Sequence, residues 1–294
     1  MKHLEKHPIP VVAIGVTGAA LSAIFVKYSD APALIIATYR LLWTVLLMSP
    51  VILGSKSIRT ELKNTNIKNL SLCTVSGIFL ALHFTLWFES LSRTSVASST
   101  AIISTEVIWV ALGFSFFPEG KMPRKAWFFI FITVIGSIII AMADFSAGFN
   151  NLTGDILALV SAVFAAIYTL IGRFSRTSMT TTSYTFIVYL FCAISLCVTV
   201  AIRNMPFTGY GMSAVWVGLL LCVFSTFLGH SIFSWSLKFL SPSFVSASKL
   251  CQSVIAAVLA FFLFEEIPSF FLIIGGLLTI AGVMLYSKIE ASDQ

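Results

Sequence analysis

Apolar runs of about twenty residues recur along the whole chain, and they dictate its class before any other feature enters. A hydrocarbon core about 30 Å thick is crossed by roughly 20 helical residues at 1.5 Å each. Divided at polar, Gly and Pro positions, the 294 residues give ten such runs, near 10–27, 31–53, 69–91, 95–116, 124–143, 153–173, 182–202, 212–234, 242–264 and 268–286. A soluble domain carries about 25% charged residues to meet water; here charged residues are 10% and hydrophobic ones 58%. The longest polar stretch, Ser55 to Asn69, is read as a loop. The fold class expected is an all-α membrane protein of ten transmembrane helices.

Charge placement gives these spans a direction. With the N-terminus in the cytoplasm, the translocated side holds only Lys27, Arg93 and Arg203, and the spans themselves hold Arg40 and Lys249. The rest of the 18 Lys and Arg fall on the cytoplasmic side, as expected because these residues resist translocation. Both termini are thus expected in the cytoplasm, and the host membrane is read as the plasma membrane. The net charge of +6 lies in short loops that orient the chain, which argues against nucleic acid as a partner. Cys73, Cys192, Cys197, Cys222 and Cys251 sit inside apolar runs without metal-ligand spacing and read as small buried hydrophobes.

An internal repeat is detectable. A shift of 146 residues aligns Ser90-Leu91 with Ser236-Leu237, Ser95 with Ser241, Ala101 with Ala247, Glu119 with Glu265 and Gly136 with Gly282. Two halves follow, 8–143 and 153–287, of five spans each. Five is odd, so the second half enters the membrane upside down relative to the first, a construction common among secondary transporters.

The segments SLKFLSPSF (Ser236 to Phe244), FFLFEE (ending at Glu265 and Glu266) and GGLLTIAGVMLYS (ending at Ser287) resemble the EamA-type unit of the drug/metabolite transporter superfamily. A degraded copy, SLSRTSV, FFPEGK with Glu119 and the span ending at Ala143, stands in the first half, and Arg40 matches an arginine common in the second span. The resemblance implies a ten-helix transporter whose spans one to four and six to nine surround a central cavity, with spans five and ten outside. It also implies metabolite substrates such as amino acids, amines, nucleosides or nucleotide sugars. One departure stands out: where many relatives carry an apolar residue beside a proline, this chain reads ISTEVIW, with Glu106.

A charge at mid-bilayer costs at least ~2.5–3.5 kcal/mol, so it faces a cavity or a partner. Glu106 is expected at the centre of span four, with Ser95, Ser99 and Gly113 within about 20° of it on one helical face. Lys249 in span nine shares a face with Ser246, Ser253 and Ala256, and Gln252 lies about 60° away. The two stripes correspond under the repeat and should face each other. They would bind the charged ends of a zwitterion, or Glu106 would carry a proton; the bland alternative is an ion pair that only ties the halves together. Arg40 could grip a carboxylate bidentately or serve helix packing, and its commonness in the family it resembles favours packing. His83 and Trp87, four apart on span three, share a face; a lone membrane histidine more often packs than relays protons, and the same holds for His230. Tyr39, Trp43, Trp109 and Tyr168 complete the candidate lining, Trp109 as an aromatic wall for an organic cation beside Glu106.

No phosphate-binding loop, HExxH or GxSxG motif is present, so neither ATP hydrolysis nor a familiar hydrolase chemistry is expected, and no cofactor or metal. The functional expectation is a secondary transporter of amino acids or amine-containing metabolites, working by alternating access in export or exchange. Its partners are a small-molecule substrate, membrane lipid and a candidate coupling proton. A nucleotide-sugar carrier would need clustered cavity cations beyond Arg40 and Lys249, and a membrane enzyme would need paired catalytic groups.

Overall fold

The computed structural model describes residues 7–26, 28–91, 93, 99, 102–120, 122–142, 152–265 and 270–292. Among them every regular element is helical. In chain order these are α1 (Pro8–Val26), α2 (Ala33–Gly54), α3 (Lys56–Asn64), α4 (Ile67–Leu91), α5 (Glu106–Ser115), α6 (Arg124–Met142), α7 (Leu152–Ser175) and α8 (Thr181–Ile202). There follow α9 (Gly211–Leu220), a π-helical stretch Leu221–His230, α10 (Ser231–Ser236), α11 (Pro242–Lys249), α12 (Cys251–Phe264) and α13 (Phe270–Ser292). Seven helical stretches among the described residues are long and apolar enough to cross a bilayer: α1, α2, Ile67–Ser90, α7, α8, Gly211–Ser236 and Pro242–Leu263. Two shorter apolar helices, Glu106–Ser115 and Ile273–Tyr286, accompany them.

Local chemistry sets the ends. Ser241 accepts from Phe244 N at 3.1 Å with Pro242 in the first turn, and Thr180 accepts from Ser183 N at 3.4 Å, each satisfying an N–H that the helix start would leave unpaired. The polar stretch expected as a loop instead folds as α3, capped by Ser55 accepting from Ile58 N at 3.4 Å. Lys, Arg, Glu and Leu in that stretch are good helix formers, so one cap suffices to start a short surface helix. From α3, Glu61 accepts hydrogen bonds from Thr180 N (2.7 Å), Thr180 Oγ1 (2.6 Å) and Ser183 Oγ (2.5 Å), closing the start of α8.

Partial burial pushes the Glu61 carboxyl upward, but the Ser183 and Thr180 hydrogen bonds and the Arg176 guanidinium outweigh it and hold it below its ordinary 4.5. A depressed folded-state value means stabilisation that is present above 4.5 and lost as pH falls through the folded value. Glu61→Gln is therefore expected to melt below the wild type in neutral buffer, with the gap closing as the buffer is acidified toward about pH 3. A gap independent of pH would remove the ionised carboxylate as its cause.

Helices close on each other through small residues, since lipid tails offer no hydrophobic contrast and packing must come from close approach. α7 buries Gly154, Ala158, Ala162, Ala165 and Gly172 along one side, and α4 packs against that helix. α8 packs on α2 and α4, while a Cβ at Gly77 would lie 2.5 Å from Val188 O. The span Gly211–Ser236 runs along α1, α12 also packs on α1, α5 packs on α7, and α6 pairs with α13. In the α6–α13 pair a Cβ at Gly136 would meet Thr279 and lie 2.6 Å from Gly275 O, and one at Gly282 would meet Thr133 and lie 3.1 Å from Phe129 O. Gly136→Val and Gly282→Val are each expected to cost about 2 kcal/mol through overpacking, read as matching losses of thermal stability in detergent.

Two apolar clusters result. One gathers residues of α2, α4 and α8, among them Ile35, Leu80, Tyr184 and Tyr189. The other joins α1, α5, α6 and the helices from α10 to α13, with Val12, Val107, Ile130, Phe244 and Tyr286 at its centre.

Two interruptions of regular helix position the site. Ile102 and Ile103 are helical, Ser104 and Thr105 form a turn, and α5 starts at Glu106. The continuous span 95–116 expected from hydropathy is thus corrected: Glu106 opens a helix instead of sitting mid-helix. Leu250 likewise forms a turn between α11, which ends at Lys249, and α12. Hydropathy cannot register either break, because both occur inside apolar sequence.

Candidate functional site

A cavity of about 380 Å³ lies between the two clusters. It takes lining from α1, α2, α4, the segment around Glu106, α7, the π stretch with α10, and the α11–α12 junction. α8, expected from the resemblance to help surround it, packs behind α2 and α4 and contributes no lining residue.

The charged wall is built at the two helix breaks. Lys249 Nζ donates to Glu106 Oε1 at 2.8 Å, and the two side chains are only 15% and 14% exposed. Thr169 Oγ1 from α7 (3.1 Å) and Ser246 Oγ from α11 (3.3 Å) donate to the same oxygen, and Lys249 Nζ also reaches Thr169 Oγ1 at 3.4 Å. All these partners fall on Oε1. Among the described residues Oε2 has none, and it is not enclosed as a buried orphan, so it opens on the cavity. The ammonium group also lies 5.8 Å from the centre of the Phe233 ring, a cation–π distance.

On α4, His83 and Trp87 stack with centroids 6.3 Å apart and planes 9° apart. Ser161 Oγ donates to His83 O at 2.8 Å, which spends its only proton, and lies 3.0 Å from His83 Nδ1. The Nδ1 atom must then be the donor toward Ser161, which puts a proton on Nδ1. Trp87 Nε1 is buried with no partner among the described residues. Tyr168 OH and Ser234 Oγ lie 3.3 Å apart, and Arg40 Nε donates to Thr226 Oγ1 at 2.7 Å.

Of the residues singled out from the sequence, Glu106, Lys249, Gln252, Arg40, His83, Trp87 and Tyr168 all line this cavity. Three do not. Trp109 is 37% exposed on the outer surface of α5, whose buried face is Val107, Val110, Ala111 and Phe114, so the aromatic wall beside Glu106 is corrected. Tyr39 and Trp43 border a separate apolar surface hollow with Leu42, Leu46 and Val215. There Tyr39 OH donates to Phe207 O, and Trp43 Nε1 donates to Val215 O at 3.2 Å, ties that hold α2 to the α8–α9 link and α9. The polar stripe drawn through Glu106 is corrected too: Ser99 bonds Ser90 at 2.5 Å, and Gly113 faces Leu170. The turn at Ser104 and Thr105 breaks the 100° progression between Ser99 and Glu106, while Gly113, on the same helix as Glu106, serves close packing against α7. Ser95 lies outside the described residues, as does the side chain of Ser253.

Sequence reasoning undervalued His230 and missed Thr169, Phe84 and Phe233. His230 closes the π stretch and faces the cavity, with Phe84, Phe233 and Tyr168 ring centroids 6.0, 6.3 and 6.3 Å away. A π-helix advances less per residue than an α-helix, so ten residues of it rotate the following side chains off any α-helical projection. Nothing in LCVFSTFLGH marks that change locally. Thr169 carried a readable signal, a hydroxyl on the small-residue face of α7.

At the end of the molecule where α7 and α10 finish, Arg173 Nη1 donates to Leu237 O at 2.7 Å and Arg176 Nε to Ser234 O at 3.1 Å. At the opposite end Glu89 pairs with Arg93 at 2.7 Å and with Arg203 at the close of α8. Among the described residues no group of three His, Cys, Asp or Glu side chains could hold a metal ion.

Several membrane-length helices around a largely apolar cavity that holds a charged pair fit a membrane transporter, and the comparisons supply the class. The profile of the EamA-like transporter family matches residues 8–142 and again 152–288, and the chain belongs to that family. An uncharacterized transporter of Archaeoglobus fulgidus is 27% identical over 222 residues, covering 74% of this chain and 75% of the relative. One of Clostridium kluyveri is 21% identical over 250 residues, covering 83% and 80%. A crystal structure superposes with a TM-score of 0.79 over 98% of this chain and 99% of its own, at 13% identity, a likeness of fold alone.

Proposed function

We infer that this protein is a secondary transporter that moves amino acids or amine-bearing metabolites by alternating access, in export or exchange. The observation that carries the reading is the Glu106–Lys249 pair on the wall of a 380 Å³ cavity, with one carboxylate oxygen still open. That volume is within the range of about 300–1,000 Å³ of small-molecule sites. A substrate ammonium group can share Glu106 with Lys249, or a proton can take the same oxygen, so substrate and coupling ion would compete for one charge.

The ten-span architecture, with inverted units 8–143 and 153–287, draws support from several features related by the 146-residue shift. The family profile matches the chain twice. The turns at Ser104 and Leu250 stand 146 apart, as do Thr133 and Thr279, and Gly136 and Gly282, which pack reciprocally across α6 and α13. The α4–α7 and α5–α7 pairings have counterparts in those of Gly211–Ser236 and α12 with α1, as a two-fold relation requires.

Orientation follows the Lys and Arg bias, with both termini cytoplasmic and the plasma membrane as host. In that frame Arg173 and Arg176 tie the cytoplasmic ends of α7 and α10 together. The lining residues Ser22 and Trp87 lie in the outer turns of α1 and α4, which supports a conformer closed toward the cytoplasm. The test is uptake and efflux of an amino-acid and amine panel in proteoliposomes, with and without a pH gradient. Movement of at least one zwitterion or amine, altered by the gradient, is expected. A panel in which no member crosses faster than in empty liposomes would overturn the reading.

A further inference from the structure

The charge balance of the cavity is uneven. Among the described lining residues Glu106 is the only acid, and Lys249 already stands against it at 2.8 Å. Arg40 is left over. It is 8% exposed, its guanidinium carbon lies 5.3 Å from the centre of the Phe84 ring, and its Nε donates to Thr226 Oγ1 at 2.7 Å. Among the described residues its two terminal nitrogens have no acceptor and no carboxylate within ion-pair distance. They are not enclosed orphans either, in contrast to Trp87 Nε1. The terminal nitrogens of a permanently charged guanidinium therefore keep accessible surface on a side chain that lines the cavity.

Helix packing accounts for one edge of this side chain only. The Nε bond to Thr226 and the ring contact tie α2 to the π stretch and α4, and neither needs the terminal nitrogens. We propose that Arg40 is the carboxylate-binding residue of the transport site, so that the cargo is a carboxylate-bearing metabolite and not a simple amine. The proposal rests on the transporter reading above and names one end of its substrate. With Nε engaged, a carboxylate docks end-on through two parallel N–H···O bonds from the terminal nitrogens, the planar match that distinguishes arginine from lysine. A monocarboxylate brings the cavity from one uncompensated positive charge to none, whereas a simple amine would add a second. The rings of Phe84, His230 and Phe233 lead from Arg40 to Lys249 at 6.0 and 6.3 Å between centroids, a surface for the body of the cargo.

The test uses the full chain in lipid nanodiscs and matched carboxylate and carboxamide pairs of graded size, from acetate with acetamide to 3-phenylpropionate with 3-phenylpropionamide. Thermal stabilisation is the readout. In the wild type at least one carboxylate should protect at a concentration about tenfold or more below its amide. Arg40→Gln should level the two, and Arg40→Lys should keep part of the preference. If Arg40→Gln does not fold, the wild type and Arg40→Lys decide. Absence of a carboxylate preference in every wild-type pair, or a preference undiminished in the Arg40 variants, overturns the assignment. Binding needs no translocation, so the two readings fail separately. Amine transport without carboxylate preference sinks the role of Arg40 alone, and carboxylate binding without any transport sinks the transporter mechanism alone.

Discussion

Glu106→Gln is expected to leave a folded protein whose coupled transport falls about a hundredfold. A hydrogen bond to a charged group contributes about 1.5–3 kcal/mol, and a hundredfold loss corresponds to about 2.7 kcal/mol. The amide keeps an oxygen for Thr169 and Ser246, which hold Glu106 Oε1 at 3.1 and 3.3 Å, so local packing survives. What disappears is the ionised oxygen that a substrate ammonium group or a proton would occupy. Proteoliposome flux measured across a pH series is the check. Wild-type rates with an unchanged pH dependence would remove Glu106 from the transport step and leave the ion pair as a fastener.

Lys249→Met is expected to cost more stability than Glu106→Gln, about 3 kcal/mol, and to impair transport as well. The two changes are not equivalent, although each breaks the same 2.8 Å pair. Losing the carboxylate leaves an ammonium group on a long stem beside an open cavity, where it can turn to water. Losing the ammonium group leaves a short carboxylate pinned by Thr169 and Ser246, and breaking a buried pair in this manner costs about 3–5 kcal/mol. The double variant Glu106→Gln/Lys249→Met should regain most of the stability, since no buried charge is orphaned, yet none of the transport. Chemical denaturation or thermal melting beside flux separates the two properties. A double variant that transports like the wild type would reduce the pair to a structural clasp.

The partial legibility of this site follows from what each signal depends on. Glu106 and Lys249 were readable because a charge within an apolar run must find water or a partner, wherever the backbone carries it. Arg40 and His83 stood out for the same reason, as polar groups well inside their runs, although packing was the favoured reading of both, and Trp87 followed from sharing a face with His83. Trp109 was misplaced although it shares the unbroken α5 with Glu106: the offset of about 60° between them already carries it out of the cavity to an exposed position. His230 was undervalued because its bearing depends on the π stretch Leu221–His230, and its role cannot be projected from a 100° wheel.

The amino-acid sequence by itself determined the solvent in which this protein lives, the helical form that solvent imposes, and the few charges that must be sheltered there. A bilayer core cannot hydrogen-bond a bare backbone, so apolar runs of this length become helices whatever their neighbours do. Only the tertiary structure decided which of those charges cancel. The repeat already set Lys249 opposite Glu106, but that they close to 2.8 Å, and that Arg40 turns one edge to Thr226, depends on two helix breaks and a π stretch. Small shifts in backbone hydrogen bonding set such features, and they are stable only when the surrounding helices pack against them.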